Sequence, residues 1–120
     1  MVIMGRLTTH VLDLSAGLPG KGIRVELTRL SGGARELVAA AVTNADGRCD
    51  KPIAEGAAFQ PGSYELAFSV GDYFAAHGVS QPEPKFLDVV VIRFGIASAD
   101  QHYHVPLLVS PYGYSTYRGS

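Results

Sequence analysis

The 120-residue chain contains a single cysteine, Cys49. No internal disulfide can form, and without a Cys-x-x-Cys pair or a Cys/His quartet there is no pattern for a structural zinc site. Charge of one sign is also missing, because ten Lys and Arg face eleven Asp and Glu and leave a formal charge of −1. That balance removes the electrostatic basis for a nucleic-acid or membrane-surface partner. No apolar run approaches the ~18 residues of a membrane span. The opening MVIMGRLTTH lacks a basic segment with an apolar core and a small-residue cleavage site, so the expected location is the cytoplasm. Internal repeats, charge blocks and low-complexity runs are absent, and residues 1–120 read as one domain.

What is present favours short strands. Hydrophobic residues make up 47% of the chain, enough for a packed core. Fourteen glycines and seven prolines exceed the usual combined share of roughly 12% and mark frequent tight turns. Segments of period two recur at Arg6 to Leu14, Gly22 to Leu30, Glu36 to Thr43, Ser63 to Val70, Leu87 to Ile96, His102 to Val109 and Tyr112 to Arg118. Turn formers separate them, among them Asn44-Ala45-Asp46-Gly47 and Gln60-Pro61-Gly62. The pattern predicts a two-sheet sandwich of about eight strands. One exception, Asp72 to His77 followed by Gly78, predicts a short helix with an Asp N-cap and a Gly stop. Pro106 cannot donate to a ladder, so its strand is expected at an edge or bulged.

On the strand from Arg6, residues Leu7, Thr9 and Val11 share one face, and Thr8, His10 and Leu12 share the other. Neither face is fully polar, so the outer one needs a cover that the chain has no spare element to provide. A domain of this size, once its core is filled, has little interior left for a substrate pocket. Any site is expected on the surface or between copies.

Four places carry residues suited to chemistry: His10, Arg48 after the Asp46-Gly47 turn, the pair His102 and His104, and the terminal Tyr117-Arg118-Gly119-Ser120. Taken singly, each has an ordinary structural explanation, as a hydrogen-bonded histidine, a solvated arginine or a frayed end. His102 and His104 share a strand face, but no nearby Asp, Glu or Cys completes a ligand set with His10, so no metal is expected. His77 suits the C-terminal end of the helix dipole. Cys49 has no base beside it, and no Gly-x-Ser-x-Gly elbow supports a serine nucleophile.

The segments LTTHVLD (7–13), TNADGRCD (43–50) and HYHVPLLVSPYGYSTYRGS (102–120) closely resemble the 5-hydroxyisourate hydrolases, the transthyretin-like enzymes of urate degradation. The match runs from Arg6 to Ser120 in consistent order, and the terminal YRGS separates these hydrolases from the hormone-carrying transthyretins. The resemblance implies an all-β, transthyretin-like (prealbumin-like) two-sheet Greek-key sandwich with one short helix around 72–77. It also implies a homotetramer, a dimer of dimers, whose central channel holds composite sites. A neighbouring subunit would then cover the His10 face. Carried over, the catalytic residues are His10, Arg48 and His104, and the substrate-binding residues are Tyr117 and Ser120 together with Arg48. The implied reaction opens a cyclic amide of a small-molecule substrate, 5-hydroxyisourate, with no cofactor. Which histidine is the base stays open. Phe86-Leu87-Asp88 departs from the family's usual Phe-Phe-Pro-like run, which leaves the local path of that peripheral strand open. The competing reading is a small-ligand carrier using the same channel.

Overall fold

The computed structural model describes residues 5–119. Nine strands and one α-helix follow one another: β1 (Arg6–Asp13), β2 (Leu18–Pro19), β3 (Arg24–Ser31), β4 (Ala34–Val42), β5 (Ala54–Glu55), β6 (Gly62–Ser69), α1 (Val70–Ala76), β7 (Val89–Ile96), β8 (Tyr103–Ser110) and β9 (Gly113–Thr116). They form an all-β sandwich with the transthyretin-type division into two sheets. One sheet has the order β2-β1-β8-β9, with β5 also on β1, and the other has the order β4-β3-β6-β7. The two shortest strands, β2 and β5, are too brief to carry a period and are invisible to a reading by alternation. No described helix is long and apolar enough to cross a membrane.

The alternation on β1 and β3 has the expected outcome. Leu7, Thr9, Val11 and Asp13 are buried while Thr8, His10 and Leu12 are half-buried. Val25 and Leu27 of β3, with Ile23 just before it, are fully inside. The core closes where Leu7, Val11, Leu107 and Val109 of one sheet face Val25, Leu27, Leu66 and Phe68 of the other.

Two expectations need correction. The helix begins at Val70 rather than Asp72, and Ser69 occupies the N-cap without a side-chain bond. Strand β6 runs straight into it, since burial of Val70, Gly71, Tyr73 and Phe74 pulls the first turn onto the core. Gly71 packs closely at this junction, since a Cβ there would press on the Asp88 carboxylate and the Lys85 stem. Asp72 sits in the first turn, where its charge suits the dipole. The stop is as expected: Gly78 has a φ of +80°, and the His77 imidazole donates from Nδ1 to the Tyr73 carbonyl at 2.8 Å.

The second correction concerns Pro106. Its strand, β8, lies between β1 and β9 and is not an edge. The β8–β9 ladder ends at Leu107↔Thr116, one residue short of the proline. The Pro106 carbonyl accepts instead from the Thr116 hydroxyl at 2.7 Å. The missing N–H therefore coincides with the end of a neighbour rather than the end of a sheet. After Phe86-Leu87-Asp88, β7 starts at Val89, and the Asp88 carbonyl takes the Gly71 N–H at 2.8 Å.

A buried carboxylate ties the helix to the sheet that bears the site. Asp13 Oδ2 accepts from the Tyr73 hydroxyl at 2.7 Å, and Oδ1 accepts from the Ser15 hydroxyl and from the Ser15 and Ala16 N–H groups. Burial works against the charge, but these bonds outweigh it and hold the Asp13 pKa below its ordinary 3.8. Burial and the same carboxylate push the Tyr73 phenol up to about 12. Replacing Tyr73 by Phe should cost about 1.5 to 3 kcal/mol near neutral pH in denaturant unfolding, the usual range for a bond to a charged group. Because the folded Asp13 pKa is depressed, its contribution is present above the unfolded value and is lost as pH falls through the folded one. The gap between wild type and Tyr73→Phe should therefore narrow in acid.

Candidate active site

The parallel pairing of β1 with β8 sets the first pair of residues. Thr8 lies opposite His104 and His10 opposite Pro106, so both histidines stand on the outer face of the same sheet, two positions apart along adjacent strands. The His104 Nδ1 and the Thr8 hydroxyl are 2.8 Å apart.

Arg48 arrives from the loop between β4 and β5. Asn44 shapes that loop, its Oδ1 accepting from the N–H of Asp46 at 2.9 Å and of Arg48 at 3.2 Å, while the Gly47 N–H bonds the Asn44 carbonyl at 2.9 Å. The loop lies along β1, with the Val11 N–H on the Gly47 carbonyl at 2.8 Å and a bridge from His10 to Arg48. Gly47 has a φ of +75°, and a Cβ there would sit 2.3 Å from the Val11 carbonyl. Only glycine meets both demands. The Asn-Ala-Asp-Gly turn read from the sequence thus serves to place a guanidinium beside two imidazoles.

The C-terminal segment lies along the start of β8. The Gly119 N–H donates to the His104 carbonyl at 2.7 Å, and a Cβ at 119 would fall 2.7 Å from His104 Cδ2. Arg118 fastens this segment, its guanidinium 4.0 Å from the centre of the Tyr103 ring and bonded to the His102 carbonyl at 3.1 Å. Ser120 lies outside the described residues.

Strand β1, the start of β8 and the Arg48 loop border a cleft of about 410 Å³ whose lining includes Arg6, Thr8, Arg48, Lys51, His102 and His104. His10 stands beside it. Tyr117 does not join this cleft within one chain, since it lines a separate groove with Ile92, Phe94, Tyr103 and Val105. Cys49 also borders the cleft, and burial pushes its thiol pKa up, which keeps it protonated. Among the described residues no three His, Cys, Asp or Glu side chains gather as a metal site.

Burial and the Arg48 charge both lower the His10 pKa, with Asp46 acting against them. The His104 pKa is lowered by burial, by Arg48 and by His10. Both imidazoles are therefore neutral at pH 7 beside the Arg48 guanidinium. Two neutral bases and a fixed cation around a polar cleft suit proton transfer next to a developing negative charge.

The HIUase/Transthyretin family model matches residues 7–119. The chain belongs to this family. Within it, a 5-hydroxyisourate hydrolase of Pseudomonas aeruginosa is 65% identical over 117 residues, covering 98% of this chain and 93% of that protein. The structure of Klebsiella pneumoniae 5-hydroxyisourate hydrolase superposes with a TM-score of 0.79 at 38% identity, over 98% of this chain and 100% of that one. An (S)-allantoin synthase structure gives a TM-score of 0.92 at 48% identity, over 98% of this chain but only 44% of that chain. The family resemblance drawn from LTTHVLD, TNADGRCD and the YRGS terminus stands.

Sequence reading passed over Thr8, Gly119 and Arg118 as individual contributors. The parity of β1 had placed Thr8 on the His10 face, but its partner depends on the strand register. In an NMR titration, His10 and His104 should both titrate below 6.5, and Arg48→Gln should move both upward. Because the folded pKa values are lowered, protonation favours the unfolded chain. Stability should therefore fall as pH drops from about 6.5 through the folded values, less steeply in Arg48→Gln.

Proposed function

We propose that the chain hydrolyses 5-hydroxyisourate to 2-oxo-4-hydroxy-4-carboxy-5-ureidoimidazoline in urate degradation, with His10, Arg48 and His104 as its catalytic residues. The observation that carries this reading is the meeting of Arg48 and His104 in one cleft beside His10, where burial and the guanidinium keep both imidazoles neutral. The names of the similar proteins support the choice of substrate.

Opening the cyclic amide requires three things. A water must lose a proton as its oxygen attacks the carbonyl carbon, the carbonyl oxygen must be stabilised as it gains charge, and the nitrogen must gain a proton as the C–N bond breaks. A neutral imidazole takes the water's proton, and the paired histidine orients the reacting groups. Arg48 offers a planar fork of donors to the oxyanion and to the carboxylate product. Arg6 and Lys51 add positive charge at the cleft. These steps need no metal and no organic cofactor.

The complete site is proposed to form in a homotetramer, a dimer of dimers, where Tyr117 and Ser120 bind substrate. Supporting this, Leu14, Leu18, Tyr112, Tyr114 and Tyr117 are all large, apolar or aromatic, and exposed, with Tyr117 60% accessible. Such a set is expected to be covered in an assembly. The cytoplasm is the proposed compartment, consistent with the lone thiol. The carrier reading finds no specific support, since gathering two imidazoles and a guanidinium is costly for a site that only holds an apolar ligand.

The test follows the ultraviolet decay of freshly made 5-hydroxyisourate against its spontaneous background. Wild type should accelerate it. His10→Ala and His104→Ala should each lower kcat by ~10² to 10⁴-fold, the range of general acid–base catalysis. An unaccelerated decay with wild type rejects the hydrolase, and full activity in either variant rejects that histidine. Deleting Tyr117 to Ser120 should abolish turnover while the circular dichroism of the sandwich persists. Sedimentation should show a tetramer, whereas an active monomer would reject the shared site.

A further inference from the structure

We infer that Thr8 is a positioning residue that fixes the tautomer of His104, so that its Nε2 presents an N–H to the cleft. The inference deepens the hydrolase reading and rests on it. Three observations carry it. Thr8 and His104 are direct cross-strand partners in the β1–β8 ladder. The Thr8 Oγ1 lies 2.8 Å from His104 Nδ1. The other flank of the ring is set by Gly119, whose Cα packs so closely that a Cβ would clash with Cδ2, Cβ and Cγ.

A neutral imidazole carries one N–H and one lone pair, and the bond made by one nitrogen decides what the other offers. Among the described residues His104 Nδ1 is the only hydrogen-bond partner of the Thr8 hydroxyl. Donation to Nδ1 uses the hydroxyl's single proton, whereas acceptance would leave that proton without a protein partner. With Nδ1 receiving a proton bond, Nε2 keeps the N–H and faces the cleft that His104 lines. A protonated Nε2 has no lone pair to offer there, so the base of the pair is His10.

The roles then divide. The bare nitrogen of His10 takes the proton of the attacking water. His104 Nε2–H stays protonated and donates a hydrogen bond to the substrate, while the imidazolium of His10 returns its proton to the leaving nitrogen as the C–N bond breaks. His104 could not hold this role in a freely exchanging tautomer mixture without a loss of rate.

The test combines ¹⁵N NMR of the imidazoles with kinetics of two variants. In wild type His104 should be the Nε2–H tautomer. Thr8→Val, which keeps the β-branched shape of a strand residue, should shift His104 toward a mixture and lower kcat by ~10-fold or more with KM changed little. Thr8→Ser restores the hydroxyl and should recover both kcat and tautomer. A wild-type His104 protonated at Nδ1 overturns the inference, as does an unchanged kcat in Thr8→Val. If wild type fails to hydrolyse 5-hydroxyisourate, the proposed function falls, while the tautomer of His104 in wild type and Thr8→Val still decides what Thr8 does.

Discussion

The parallel pairing of β1 with β8 is the constraint on which the rest depends. It joins residues 96 positions apart, as the Thr8–His104 and Thr9–Val105 hydrogen bonds record. Parallel neighbours cannot be joined by a hairpin, and here the connection is the whole of the second sheet and the helix. The crossover that makes the ladder possible is thus also the layer that buries its inner face. Outside the core, the same ladder sets two histidines on one surface. A slip of one residue on either strand would send its histidine into the core and a Val or Thr to the surface.

Around that ladder, the remaining site residues are held by backbone rather than by side-chain pairing. Arg48 is delivered by a loop that bonds β1 through the Gly47 carbonyl and is shaped by the Asn44 side chain. The C-terminal segment is held by Gly119 on the His104 carbonyl and by Arg118 on Tyr103. This leaves the Arg48 guanidinium without an ion pair among the described residues, so its charge acts on the imidazoles and on whatever enters the cleft.

Much of this was legible in the residues themselves. Alternation on Arg6 to Leu14 separates the buried from the outer face because a pleated strand has no other way to distribute its side chains. The Asn-Ala-Asp-Gly turn was legible because its chemistry is local. The helix start was misread because Asp72 is a good cap by type, while burial of Val70 and Gly71 against the core decides where the turn begins. Pro106 was misread because a missing donor looks the same at a sheet edge and at the end of a short neighbour. Tyr117 reads as part of the terminal motif, yet within one chain it lines the groove beside Phe94. Thr8 had no signal of its own, since a threonine on a strand is ordinary until its cross-strand partner is known.

The sequence by itself determined the balance of charge that removes a polyanion partner, the two-faced strands that demand a sandwich, and the motifs that mark the family. These follow from residue type and near-neighbour spacing, which the chain carries wherever it folds. Only the tertiary structure decided that Thr8 meets His104, that Gly47 brings Arg48 across β1, and that both imidazoles lose basicity. Those are consequences of register, burial and approach between distant segments, and no local pattern encodes them.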